Sequence, residues 1–76
     1  MNRERRKAIS SIIGKIEELK SDIESLMDEE EEYRDNMPEN LQGSERYEKA
    51  NEAVDALSSA IDSIDEAISY LEDATE

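Results

Sequence analysis

The sequence predicts an all-α protein, an antiparallel helical hairpin of two long helices that assembles into a helical-bundle homo-oligomer. Apolar residues recur at alternating spacings of three and four in two stretches of similar length, which is the pattern of helices in bundles and coiled coils. A single segment, residues 35–43, interrupts the pattern. In the first stretch the rows are Ile9, Ile16 and Ile23, and Ile12, Leu19, Leu26 and Tyr33. In the second stretch they are Tyr47, Val54, Ile61 and Ile68, and Ala50, Leu57, Ile64 and Leu71.

The first helix is predicted from about residue 2 to residue 34. Asn2 is a favourable N-cap because its side-chain oxygen can accept a hydrogen bond from a free backbone N–H of the first turn. Gly14 lies inside the pattern and costs about 1 kcal/mol relative to alanine. Glu30 stands where the pattern requires an apolar residue, so the seam near the loop should be loose, hydrated or matched by a cation.

The turn is predicted over residues 35–43 and the second helix over residues 44–75. Pro38 cannot lie in a helix interior and disfavours helical geometry at Met37, whereas Gly43 can take the positive φ that a chain reversal often needs. Ser44 is a good N-cap for the second helix. At 1.5 Å per residue, both helices have a predicted length of roughly 50 Å, so they can pair along their whole length.

A chain of 76 residues forms one domain at most, here residues 1–76, and a two-helix hairpin buries too little surface to be stable alone. We therefore expect a homo-oligomer, with a tetramer favoured over a dimer. Alanines recur every seven residues on the second helix and would let another helix approach closely, which favours an assembly with helix 2 near its centre. An ordinary alanine-rich surface explains them equally well. The alanines are Ala53, Ala60, Ala67 and Ala74.

Composition excludes several classes of function. The formal net charge is −13, from 22 acidic and 9 basic residues, which argues against duplex nucleic acid as a partner. The chain has no cysteine and no histidine, and its carboxylates lack the spacing of a metal site, so we expect no enzyme, no metal and no cofactor. No secretory signal and no run of about 18 apolar residues is present, which predicts a cytoplasmic protein without a membrane partner.

Several charges oppose the helix dipoles. The cations Arg3, Arg5, Arg6 and Lys7 crowd the start of helix 1, where positive charge is unfavourable. In an antiparallel hairpin they would lie beside Glu72, Asp73 and Glu76, so one interpretation is mutual neutralisation. The alternative is that the cations of several chains converge on an anionic ligand, since guanidinium groups suit phosphate.

The segment from Tyr33 to Tyr47 is the best candidate for a binding site. It combines aromatic faces, guanidinium groups, amides and a hydroxyl, a set suited to a nucleotide. The alternatives are a capped loop whose tyrosines pack in the core and whose arginines pair with the acidic run Asp28–Glu32. The candidate ligand-binding residues are Arg34, Asn36, Gln42, Ser44, Arg46 and Tyr47, joined by Arg3 and Arg6.

The chain also resembles a known family. Its basic opening Asn2–Lys7, the acidic end of helix 1, the stretch Asn36–Glu48 and a second helix rich in Ala, Ile, Asp and Ser look like a widespread family of small acidic helical phage proteins. That family is similar to the phage counter-defence (anti-CBASS) sponges that sequester cyclic nucleotides. The resemblance implies capture, without cleavage, of a cyclic dinucleotide defence signal such as 3′3′-cGAMP in the cytoplasm of an infected bacterium. Its only specific part is the loop.

An alternative function follows from the excess negative charge. The second helix could present its acids as a substitute for phosphates, making the protein an acidic protein-binding inhibitor or DNA mimic that acts on a host nucleic-acid enzyme. The acids concerned are Asp55, Asp62, Asp65, Glu66, Glu72 and Asp73. Their spacing is not the even two-strand pattern of duplex phosphates, so the nucleotide hypothesis ranks first.

Overall fold

The computed structural model describes all 76 residues and contains two helices that pack against each other along a rod of 59 × 15 × 12 Å. Helix α1 spans Arg3–Asp35, a short 3₁₀ turn spans Glu39–Leu41, and helix α2 spans Glu45–Ala74. Cross-helix contacts join Lys20 to Asp65 and Arg34 to Asn51, so the two helices run antiparallel. The predicted all-helical class and the packing of two helices are confirmed.

Both predicted N-caps are present. The side-chain oxygen of Asn2 accepts a hydrogen bond from the backbone N–H of Arg5 at 2.8 Å. The hydroxyl of Ser44 accepts one from the backbone N–H of Tyr47 at 3.3 Å. Each cap satisfies a donor that would otherwise be free in the first helical turn, and together they fix where α1 and α2 begin.

The reversal between the helices uses no left-handed residue. Asn36 ends α1 in a right-handed conformation with ψ of 0°, and Gln42 follows the 3₁₀ turn with φ of −66°. No residue of the chain has a positive φ, so Gly43 does not use the freedom expected of it. The side chain of Met37, just before Pro38, is buried and anchors the turn against the end of the hairpin.

The two helices contribute differently to the seam between them. On α2, both predicted apolar rows face α1 and are buried or half-buried. On α1, only the row Ile9, Ile16 and Ile23 does so, and the other edge of the seam is formed by Ile13, Lys20 and Met27. The seam is thin, because only four of 76 residues are buried, namely Met37, Ala50, Val54 and Ile68.

The remaining apolar row of α1 points away from α2. Its side chains retain much of their surface, with Ile12 47%, Leu19 61%, Leu26 57% and Tyr33 47% exposed. Regular seven-residue spacing keeps these four residues on one side of the helix. These four residues form an apolar stripe that remains uncovered along α1.

Two polar contacts fix the alignment of the helices. The ammonium group of Lys20, half-buried in the middle of the seam, lies 2.5 Å from a carboxylate oxygen of Asp65. The hydrogen bond to Asp65 raises the pKa of Lys20 above its usual 10.5. Near the loop, the guanidinium of Arg34 donates a hydrogen bond to the side-chain oxygen of Asn51 at 3.0 Å.

The substitution Gly14→Ala should stabilise the protein by about 1 kcal/mol, because alanine has a higher helix propensity than glycine. A β-carbon at this position meets no atom within 4 Å. Gly43→Ala should be tolerated without loss, since its β-carbon also meets nothing and no positive φ is required there. Urea unfolding at a fixed protein concentration measures both, and a loss above about 1 kcal/mol in Gly43→Ala would contradict this description of the turn.

Asp65→Asn should lower the Tm at about pH 7, whereas Asp62→Asn, also exposed on α2, should change it little. A lysine whose pKa is raised on folding adds stability that is complete below its unfolded pKa and is lost as the pH rises through the folded value. The difference in Tm between the native chain and Asp65→Asn should therefore shrink as the pH rises above the usual lysine pKa of 10.5 and through the raised pKa of Lys20, as followed by circular dichroism. A gap that persisted at high pH would contradict the ion pair.

Candidate functional site: a cleft at the loop end

The hairpin has a cleft of about 410 Å³ where α1 approaches the turn. Glu30 and Tyr33 of α1 line one side, and Glu45, Arg46, Lys49 and Ala50 of α2 line the other. Glu30 replaces an apolar residue of the seam and Ala50 contributes only a methyl group, so the seam is not filled here. The cleft opens to solvent and lies at the end of the seam that Glu30 led us to expect to be loosely packed.

The cleft carries two cations, and their surroundings differ. The ammonium of Lys49 lies 3.2 Å from Glu45, its neighbour one turn earlier on α2. Arg46 makes no ion pair and no side-chain hydrogen bond within the chain. Its guanidinium group is therefore available for an anion, with the half-exposed ring of Tyr33 across the cleft.

Two carboxylates limit which anions could enter. Glu30 is half-buried and Glu45 is exposed, and both line the cleft beside Arg46 and Lys49. Two cations and two carboxylates leave the lining neutral in formal charge. A tightly bound anion would consequently need a further cation or a strong stacking contact in addition to this lining.

Arg34 is held away from the cleft by other residues. Its Nε donates a hydrogen bond to Asp35 at 3.1 Å, and its Nη1 donates to Asn51 at 3.0 Å. The hydrogen bond to Asp35 raises the pKa of Arg34 above its usual value, so the group stays charged. Its pairing partner is Asp35, just beyond the acidic run, and its visible role is to join the two helices.

Most other loop residues singled out from the sequence have structural tasks. The hydroxyl of Ser44 donates to the carbonyl of Leu41 and accepts from the backbone of Tyr47, so it is fully engaged. Asn36 caps α1 and Gln42 follows the 3₁₀ turn, and both side chains are exposed. Tyr47 is half-buried in the seam. Of the six loop candidates, Arg46 is the one that lines the cleft.

Arg3 and Arg6 lie at the opposite end of the 59 Å rod from the cleft. Within one chain they cannot contact a ligand held at the loop. No ion pair forms between the basic cluster Arg3–Lys7 and the acids Glu72, Asp73 and Glu76, so the expected neutralisation does not reach contact distance. The cations of this cluster remain exposed to solvent.

The ligand-binding residues predicted from the sequence did not include Lys49, Glu30 and Glu45, and core packing was favoured for Tyr33. The spacing offered a partial signal, because Lys49 follows Arg46 by three positions and so shares a helix face with it. The position of Tyr33 could not be inferred, since its row was expected in a core and lies instead on the outside of α1.

No group of histidine, cysteine, aspartate or glutamate side chains is arranged to hold a metal ion. Neither helix includes a stretch sufficiently long and apolar to span a membrane. No family model matches the chain, and neither the curated proteins nor the solved structures include a significant match to it.

Proposed function

We propose that the protein captures a cyclic dinucleotide signal, such as 3′3′-cGAMP, at the loop-end cleft and withholds it from a host effector without cleaving it. The observation that carries this proposal is the unpaired guanidinium of Arg46 beside Lys49, facing the exposed ring of Tyr33. Guanidinium and ammonium groups recognise phosphate oxygens, and an aromatic face stacks on a nucleobase. A setting in phage-infected bacteria follows from the family resemblance described above and belongs to the proposal.

The dimensions of the cleft support a small ligand. Its volume of about 410 Å³ lies within the range of roughly 300–1,000 Å³ found for small-molecule sites. The cleft is shallow and open, so one chain would cover only part of a nucleotide. Capture therefore depends on an assembly of chains, which is also proposed.

Sequestration suits the chemistry of the lining better than catalysis does. The chain has no histidine or cysteine, and the polar groups of the cleft are two cations and two carboxylates. Such groups can hold and orient a phosphate diester. Holding the ligand in stoichiometric amounts requires no bond to be broken.

The long-range field of the protein opposes this ligand. A net charge of −13 repels a dianion and should slow its association. Cations close to the phosphates must outweigh that repulsion, so binding should depend strongly on each of them.

Arg46→Ala should weaken binding of 3′3′-cGAMP by about tenfold or more, since a charge-assisted hydrogen bond contributes about 1.5–3 kcal/mol. Ser59→Ala is the control, because it truncates an exposed side chain on the outer side of α2, away from the cleft. Isothermal titration with a panel of cyclic dinucleotides measures both variants, and chromatography after incubation should recover the ligand intact. Absence of binding to every member of the panel by the unmodified protein would refute the proposal.

A second candidate function rests on the exposure of the acids of α2. Asp55, Asp62, Glu66 and Asp73 are all exposed and lie on the outer side of that helix. Their exposure favours an inhibitor whose carboxylates occupy the positions of nucleic-acid phosphates in the binding site of a basic host protein. A host nucleic-acid enzyme retained by the immobilised chain should then be released by duplex DNA, and retention unaffected by DNA would count against the mimic.

A further inference from the structure

The uncovered apolar stripe of α1 is part of a larger face. Tyr33, the last residue of the stripe, and Arg46 line the same cleft, so the stripe and the α2 row that begins at Arg46 lie on the same side of the hairpin. With a spacing of seven residues, that row continues through Ala53, Ala60, Ala67 and Ala74. One side of the hairpin thus presents large apolar side chains on α1 and small ones on α2.

The chain has surplus surface for an interface. A compact monomer of 8.7 kDa would expose roughly 4,700 Å², whereas this hairpin exposes 5735 Å². The excess is about 1,000 Å², and a standard interface covers about 800 Å² on each partner. One partner packed against this face would reduce the accessible surface area of the chain to that of a compact folded protein of the same mass.

The charges of α1 favour a second α1 in the opposite direction. Residues 3–20 contain six cations and three carboxylates, whereas residues 21–35 contain eight carboxylates and one cation. Antiparallel pairing of two α1 helices sets the basic half of each against the acidic half of the other. Pairing α1 with α2 of a second chain would instead place the acidic end of α1 beside another predominantly acidic helix.

The spacing of the stripe residues gives the register of the two antiparallel α1 helices. Extended by one heptad towards the N-terminus, it reads Arg5, Ile12, Leu19, Leu26 and Tyr33, with Leu19 in the middle and Arg5 and Tyr33 each about 21 Å away. Leu19 is also the most exposed of its aliphatic members. With Leu19 on a two-fold axis, Ile12 lies opposite Leu26 of the second copy, and Arg5 lies opposite Tyr33.

We propose that this face is the interface with a second copy of the chain, formed by two antiparallel α1 helices with Leu19 on the two-fold axis. The pairing rests on the apolar face and the charges, and is independent of any ligand. It brings Arg5 of the second copy to Tyr33 at the mouth of the cleft, where a guanidinium can stack on the aromatic ring. Each dimer then has two identical sites, one at each end.

This arrangement completes the site if the proposed function holds. The lining of the cleft within one chain has as many carboxylates as cations. The N-terminal cluster of the second copy adds Arg5, with Arg3 and Arg6 close by. Within a single chain, these three cations lie at the opposite end of the rod from the cleft. Ligand capture would then require the dimer.

Single-cysteine variants test the pairing directly, because the chain has no cysteine of its own. With a short bis-maleimide crosslinker, most Leu19→Cys chains should link to themselves. In a mixture, Arg5→Cys chains should link to Tyr33→Cys chains. Ser21→Cys is the control, since this exposed residue lies on the opposite side of α1 and should link no better than background. All four positions are exposed, so circular dichroism should show unchanged helix content.

The competing geometries give different links. Pairing of α1 with α2 of the second copy would link Leu19→Cys to Ala67→Cys while Leu19→Cys chains failed to link to themselves, and that result would overturn the proposal. A monomer of 8.7 kDa in sedimentation equilibrium at micromolar concentration would overturn it as well. Binding of a cyclic dinucleotide is measured separately by isothermal titration, so failure of this pairing and failure of the proposed function can be distinguished.

Discussion

Two helices that pair only with each other can bury only one side each, and this constraint governs the rest of the structure. The hairpin is held together by a single narrow seam in which three residues, Ala50, Val54 and Ile68, are buried, with Met37 buried at the turn. Burial of apolar surface contributes about 25 cal/mol per Å², and this gain must offset the conformational entropy lost on ordering 76 residues. A seam of this size buries too little apolar surface to leave a large net stability. The stability of the fold should therefore depend on covering the face that the hairpin leaves open.

The loop-end cleft has the same physical origin. Where the seam reaches Glu30 and Ala50, it holds a carboxylate and a methyl group instead of two large apolar side chains, and space is left between the helices. Polar residues can line that space without being buried. Arg46 and Lys49 lie there because the first turns of α2 pass beside the end of α1, so the gap in the packing brings two cations, two carboxylates and an aromatic ring together.

Most of the fold could be predicted from local sequence signals, because caps and helix breakers act within a few residues. Asn2 and Ser44 cap the starts of α1 and α2 as predicted, and Pro38 lies in the predicted turn, where it precedes the 3₁₀ segment. The conformation of Gly43 could not be predicted, since a 3₁₀ turn achieves the reversal with right-handed residues alone.

The face that each helix presents was harder to predict. On α1 the apolar pattern is wide enough for two neighbours, and a heptad alone does not say which row meets the helix of its own chain. The structure uses Ile13, Lys20 and Met27 and leaves Ile12, Leu19, Leu26 and Tyr33 outside. For the same reason the site residues were only partly predictable: Arg46 lines the cleft, whereas Arg34 turns to Asp35 and Asn51.

The dependence of the Tm on protein concentration tests the central claim most directly, namely that the hairpin is stable only with its open face covered. For a dimer of chains this size, unfolding is coupled to dissociation, and each tenfold increase in concentration should raise the Tm by about 5 °C. A cooperative transition whose Tm stays constant from micromolar to millimolar concentration would show that the single hairpin is stable alone, and would contradict this account.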